Sequence, residues 1–440
     1  VGSEMCIRDS FYANTVNQKF TFDATDKLSF YARGGYYDNK TRRPYEAYDY
    51  NILHETFNYG IGAQYMINKG NYITADCYAD HFSSSYCFFK DNKTYNGKAG
   101  EEQVRKRTRN HNLSIKGIFK LGNRHKLSVG TEYIVDVLKS QTDNIAKEDA
   151  YTLALFAQDE IKLLRNLQAL IGVRYIYHEN FKNHATPNVA LMYKPGKFNF
   201  RASYAAGFRT PTLSELYATD IAKKNDRLTI GNLDLKPEKN NYFSLSAEYV
   251  HERFSVSVNA FYNNIRDMID YNTIATGDKA MEQYGHKEVR QRDNIAEAKV
   301  HGINVSANAY LGAGFNLSGG YTHLNTQDVE LEQPIDKSIK NAYNINAQWA
   351  HSWKIYRLNI NLNGRFNSKR FSKSYGYAPE YQLWDLNTRH SFNLKSVIIE
   401  PGCGMENLFD YMDDRPYNSN YATLTPGRSF YISLSLKFKS

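Results

Sequence analysis

The chain has no apolar run approaching the roughly 18 residues of a membrane-spanning helix, and its mean hydropathy is -0.62. A helical membrane protein is excluded. Cysteine is sparse. Cys6, Cys77, Cys87 and Cys403 form no CxxC pair and no Cys/His cluster at zinc spacing, so no metal framework is indicated. Cys77 and Cys87 could be bridged, in an oxidising compartment, only if the chain turned near Phe82; on one continuous strand they stand too far apart. The 12 histidines make no HExxH and no readable Ser/His/Asp arrangement. The acid pairs Asp159-Glu160 and Asp413-Asp414 read as rim or solvated charge. Gly402-Cys403-Gly404 has strand context, where a nucleotide loop needs strand, turn and helix; it reads as a bend or a place of close packing. No enzyme, cofactor or metal role is indicated. Also missing are a Met at position 1 and the apolar core of a signal peptide. Residues 1–10, VGSEMCIRDS, match nothing that follows and resemble translated sequencing adapter. They are set aside as non-native, and the missing signal then points to a truncated chain.

Against 10 prolines the chain carries 36 tyrosines and 24 phenylalanines. High tyrosine with low mean hydropathy is what a membrane β-barrel produces, because only every second strand residue meets lipid. The net charge of +9 is scattered between both kinds of loop. That pattern fits solvated loop charge, with a weaker pull on anionic lipid headgroups or an anionic ligand, and it gives no nucleic-acid signature.

Alternation with period 2 begins after residue 10 and does not stop. In YRLNINLNGRF, Arg357, Asn359, Asn361, Asn363 and Arg365 share one face, with Tyr356, Leu358, Ile360, Leu362 and Phe366 on the other. The last segment splits the same way, Phe430, Ile432, Leu434, Leu436 and Phe438 against Ser429, Tyr431, Ser433, Ser435 and Lys437. A helix would mix both classes on each face. About eighteen such segments run from Leu28 to Phe438, most of about 10 to 15 residues, with a partial one expected in residues 11–26. Their links alternate between short turns and long loops, the latter read at 39–54, 90–107, 140–149, 210–240, 270–297, 326–341, 368–380 and 410–427. Short turns on one rim and long loops on the other are the mark of an antiparallel transmembrane β-barrel. Tyr36, Tyr37, Tyr175, Tyr177 and Tyr262 are expected near strand ends, at headgroup level. An odd count of about nineteen would leave the first and last strands parallel, so the sheet is expected to be incomplete at its start.

The chain is organised around a polar loop of about thirty residues, GFRTPTLSELYATDIAKKNDRLTIGNLDLKPE, from Gly207 to Glu238. Its FRTPTLSELY and GNLDLKPE resemble the paired FRAP and NPDL-like motifs of TonB-dependent outer-membrane receptors. FAQDEIKL (Phe156 to Leu163) with LIGVRYIYH (Leu170 to His178) resembles that family's mid-barrel hairpin. MENLFDYMDDRPY (Met405 to Tyr417) and PGRSFYISLSLKF (Pro426 to Phe438) resemble its closing pair.

The resemblance implies a barrel of about 22 strands when complete, about 18–19 of them here, with residues 11–440 as an incomplete barrel domain whose N-terminal plug is absent. It implies a Gram-negative outer-membrane receptor taking up a scarce small molecule, with energy from the TonB-ExbB-ExbD complex reached through the missing part. Barrel-assembly machinery and outer-membrane lipid are the other implied partners. No histidine stands between Pro211 and Pro237, where haem receptors of the family carry one, so iron-siderophore or cobalamin is the better expectation. Phe208, Arg209, Pro211, Tyr217, Asn232, Leu235, Pro237 and Glu238 are the candidates for ligand or plug contact, the bland alternative being that they fold the loop back on the barrel. Asn407, Leu408, Phe409, Asp410, Pro426, Gly427, Arg428 and Phe438 are the candidates for barrel closure and assembly. Lys439 and Ser440 follow Phe438 where the family commonly ends on an aromatic. The competing readings are a passive porin-like channel without plug and an outer-membrane hydrolase or adhesin.

Overall fold

The structure, a computed structural model, describes residues 11–45, 48–93, 95–222, 226–372, 376–412 and 427–438. Residues 1–10, the pair Asp413-Asp414, Pro426, Lys439 and Ser440 lie outside them. Ten strands open the chain: β1 (Phe11–Thr25), β2 (Leu28–Tyr45), β3 (Tyr48–Asn68), β4 (Asn71–Phe88), β5 (Glu102–Leu121), β6 (His125–Ser140), β7 (Ile145–Leu164), β8 (Leu167–His178), β9 (Lys182–Tyr193) and β10 (Phe198–Arg209). The long loop follows, holding α1 (Leu213–Tyr217), β11 (Thr219–Ala222) and β12 (Arg227–Ile230). Then come β13 (Glu238–Val250), β14 (Phe254–Thr276), α2 (Gly277–Tyr284), β15 (Glu288–Gly312), β16 (Phe315–Asp328), β17 (Asn341–Trp353) and β18 (Tyr356–Asn367). A small hairpin, β19 (Arg370–Ser372) and β20 (Gly376–Ala378), precedes β21 (Tyr381–Asn393), β22 (Val397–Glu406) and β23 (Ser429–Phe438).

Setting aside the loop strands β11 and β12, the 21-stranded main sheet is a meander of nineteen strands. Each pairs antiparallel with the next, β10 with β13 and β18 with β21 where loops intervene. The strand expected as partial in residues 11–26 is a full strand of 15 residues. Among the described residues β1 pairs only with β2, and β23 only with β22. With nineteen strands those two edges run in the same direction.

Short turns gather on one rim. At Gly314 φ is +87° and an added Cβ would stand 2.0 Å from the Ala350 carbonyl oxygen, so only glycine fits that turn. The opposite rim carries the long links, but several are strand where loop was expected. β2 and β3 stay paired out to Tyr45 opposite Tyr48, β6 and β7 to Ser140 opposite Ile145, and β14 and β15 to Thr276 opposite Glu288. The strands continue past the height a bilayer requires, into hairpins that stand above it.

Alternation sorts the side chains. Phe20, Phe30, Ile61, Leu113, Leu155 and Ile171 are exposed on one face, a pattern that water would oppose and lipid favours. The other face is polar, as where the Asn346 Nδ2 donates to Asn361 Oδ1 at 2.7 Å. Tyrosines on the apolar face touch across strands, with ring centroids 6.0 Å apart for Tyr133–Tyr151 and for Tyr151–Tyr177, and 4.7 Å for Tyr321–Tyr343. This girdle marks the headgroup level, at the ends of the shorter strands β8 and β17, where Tyr177 and Tyr343 stand, and part-way along β6, β7 and β16. Cys77 and Cys87 both lie on β4, which runs straight through Phe82. The bridge is therefore excluded, and both thiols are free. Gly404, between its neighbours in β22, makes room for the Tyr431 ring, whose atoms would lie 2.5 Å from an added Cβ.

Candidate functional site

The long loop leaves the wall between two paired residues. Arg209 ends β10 directly opposite Glu238, the first residue of β13. The guanidinium binds that carboxylate through two bonds, Nε to Oε2 at 2.8 Å and an Nη to Oε1 at 2.6 Å. It also donates to Glu215 at 2.9 and 3.3 Å. One planar cation thus holds two carboxylates from two ends of the loop.

Glu215 serves the local fold as well. Thr212 and Glu215 make a capping box on α1, the Thr212 Oγ1 accepting from the Glu215 amide and the Glu215 carboxylate accepting from the Thr212 amide. Burial works to raise the Glu215 carboxyl, but Arg209 and the Thr212 donors together hold it below the ordinary range. The Glu238 Oε1 also accepts from the Ile269 amide at 2.8 Å, which ties the latch to an irregular stretch of β14.

The second half of the loop is pinned by amides. Asn232 donates to the Arg292 carbonyl at 3.0 Å and accepts from the Asp234 amide at 2.9 Å. Asn294 accepts from the Lys236 amide and donates to the Lys236 carbonyl, at 2.7 and 2.9 Å. Gly231 passes so close to α1 that a Cβ would lie 2.5 Å from the Leu216 carbonyl oxygen. At the far side, the Ser214 hydroxyl and the Thr219 amide both donate to Asp143, in the turn after β6. Beneath lies a small core of Leu216, Leu235 and Ile269, with Phe181 and Tyr217 against it.

Of the eight predicted contact residues, Arg209, Tyr217, Asn232, Leu235 and Glu238 take part in the loop's own packing and hydrogen bonds. Pro211, Leu235 and Pro237 are buried, Tyr217 and Asn232 are half-buried, and Phe208 stacks on His184 with centroids 4.6 Å apart. Arg209 is exposed while engaged with both carboxylates. Sequence reasoning missed Glu215, Asp143 and Asn294. A Thr-x-x-Glu capping pattern ahead of an apolar pair could have revealed the first; the other two sit 71 and 58 residues from their partners and left no local signal. It also missed Leu233, which stands exposed at the loop's outer side.

The closing pair has its own knot. Asn407, with φ +51°, exchanges two bonds of 2.8 Å with the Tyr411 backbone, and its amide donates to Asp385 at 3.0 Å. Asp410 accepts from the Arg428 amide at 2.7 Å, and Gly427 lies where a Cβ would come 2.9 Å from that same carboxylate. The Leu408 amide donates to the Trp384 carbonyl, while Phe409 is exposed against the Trp384 edge. Phe438 pairs with Val397 in the outermost strand.

A family described as the TonB-dependent receptor-like beta-barrel matches residues 7–407. This chain belongs to that family. Solved structures share the receptor fold. A variant of the ferric enterobactin receptor PfeA of Pseudomonas aeruginosa superimposes with TM-score 0.81 at 16% identity, over 98% of this chain and 70% of that one. The siderophore receptor PirA of Acinetobacter baumannii gives 0.76 at 15%, over 98% and 71%. The copper transporter OprC gives 0.75 at 10%, over 98% and 72%. Within the TonB-dependent receptor family the barrel is an outer-membrane wall, so the long-loop rim that carries the Arg209 latch faces outward and the short turns face the periplasm. Among this receptor's described residues no three His, Cys, Asp or Glu side chains gather as a metal site.

Proposed function

We propose that this chain is the barrel portion of a receptor that captures an iron-siderophore at its outer face and imports it with energy from TonB-ExbB-ExbD, the plug being a separate domain. The observation that carries this reading is the pair of stretches 210–222 and 226–237, held on the long-loop rim by Arg209, Asn232 and Asn294. A passive channel gains nothing from such a structure, whereas a receptor needs its contact surface organised before ligand arrives. The siderophore receptors among the structural neighbours favour that ligand over cobalamin. The missing histidine between Pro211 and Pro237 disfavours haem. Phe208, Arg209, Tyr217 and Asn232 would then set the floor of the ligand or plug surface, and barrel-assembly machinery would deliver the wall to the membrane through β22 and β23.

The test is labelled ferric siderophore supplied to cells bearing the full-length receptor, with and without an uncoupler. Binding that persists while accumulation stops with the uncoupler is the expected result. Flux proportional to concentration and indifferent to the uncoupler would replace the receptor by a porin-like channel. Removing residues 212–235 should abolish binding while the barrel keeps its folded mobility in an unboiled gel; unchanged binding would leave the loop a structural role alone.

A further inference from the structure

The outward face of β5 changes character abruptly. Leu113 and Ile115 are exposed apolar residues in the lipid band, and the same face continues through His111, Arg109 and Arg107, all exposed. His111 belongs to the girdle. Its ring lies 5.4 Å from that of His81, which in turn lies 5.8 Å from that of Tyr59. Arg109 stands opposite His81 on β4, and Arg107 opposite Lys139 on β6, itself exposed. At about 3.3 Å per residue, Arg109 and Arg107 sit about 7 and 13 Å beyond the His111 position. That is the depth of lipid headgroups.

These cations lack protein partners. Arg107, Arg109 and Lys139 make no ion pair among the described residues. Of the outward acids on neighbouring strands, Glu55 accepts from the Tyr36 and Ser83 hydroxyls at 3.0 and 3.4 Å and Asp149 is met by Lys147 at 3.2 Å, so neither is paired with these three cations. The His81 Nε2 is buried and has no hydrogen-bond partner. Elsewhere on the wall an outward cation above the girdle, Arg266, is met by Glu297 at 4.0 Å. A girdle fixes the depth, and two arginines and a lysine without counter-ions fix the charge. A planar guanidinium binds phosphate oxygens in pairs, which water and scattered salt do not replace well at a lipid surface.

We propose that Arg107, Arg109 and Lys139, with His81 and His111 beneath them, form a binding site on the outer wall for the phosphate groups of an anionic outer-leaflet lipid. The test is native mass spectrometry of the full-length receptor in neutral detergent, titrated with bisphosphorylated lipid A, with phosphatidylcholine and with inorganic phosphate. The wild-type protein should retain lipid A in preference to phosphatidylcholine, and retention should weaken as salt is raised. The variant carrying Arg107→Gln, Arg109→Gln and Lys139→Gln should retain it on the order of tenfold to a hundredfold less, whereas Arg266→Gln should change it by less than about twofold. Equal retention by the triple variant would overturn the proposal, as would equal retention of phosphatidylcholine. Displacement by inorganic phosphate at matched concentration would make this a free-anion site and overturn the lipid assignment. If the triple variant fails the folded-mobility check, Arg109→Gln and the wild-type salt titration decide, retention indifferent to both counting against the site.

Discussion

Two segments fasten the long-loop rim to the wall, and they do it with different chemistry. The loop after β10 is closed by charge, one guanidinium between Glu215 and Glu238. The link after β22 is closed mainly through backbone amides, the Asn407 side chain folded onto the Tyr411 backbone and the Asn407 and Arg428 amides donating to Asp385 and Asp410. The Asn407 side chain is buried; the Arg209 side chain is 43% exposed. A guanidinium–carboxylate latch in partial contact with water answers to pH, salt and a charged visitor. The two bonds between the buried Asn407 side chain and the Tyr411 backbone join neutral groups and answer to none of them. The first lies between β10 and β13 on the long-loop rim, the second beside the last strand.

Removing a partner from each would sharpen that contrast. Arg209→Ala leaves two mostly covered carboxylates facing each other. It should loosen the loop by about 2 to 3 kcal/mol, below the 3 to 5 of a fully buried pair because water reaches the site. Hydrogen exchange over residues 212–217 measures this, and protection equal to wild type would mean that the apolar core beneath carries the loop alone. Asn407→Ala loses both bonds to Tyr411 and places alanine at positive φ, with an expected cost of about 2 kcal/mol and faster exchange confined to residues 407–412. Acid separates the two. The folded Glu215 carboxyl titrates below its ordinary value of 4.5, so its contribution is complete above that pH and falls away as pH drops through the folded value. Exchange at α1 should therefore rise on acidification while the Tyr411 amide, which donates to the neutral Asn407 Oδ1, keeps only its intrinsic pH dependence; parallel changes would erase the distinction. Phe409→Ser, at an exposed ring, should shift stability by less than about 0.5 kcal/mol.

The nineteen wall strands were legible in sequence because lipid on one side and water on the other impose period 2 on each of them. That signal ends where the environment does. Above the girdle no lipid meets β2, β3, β14 and β15, and parts of them are covered by their own loops, as Ala275 and Val289 are. There alternation loses its meaning, and residues 39–54 and 270–297 read as loop though they are largely strand. β11 and β12, four residues each, are too short for any period to show. The candidate site was half legible. Arg209 and Glu238 could be named from their motifs, but that the two are register partners follows from the whole meander. That Asp143 and Asn294 complete the loop's anchorage follows from contacts no local window contains.

The short strand β12 lies parallel against β15, from Arg227 opposite Glu288 to Ile230 opposite Gln291. On its other side that stretch of β15 is already paired with β14. The loop thus serves as a cover for a sheet edge that would otherwise stand bare above the membrane, its amides and carbonyls open to any neighbouring strand. A receptor stripped of the loop would leave that edge of β15 unpaired. It would gain a sticky margin, and in a crowded outer membrane its first new partner would be another copy of itself.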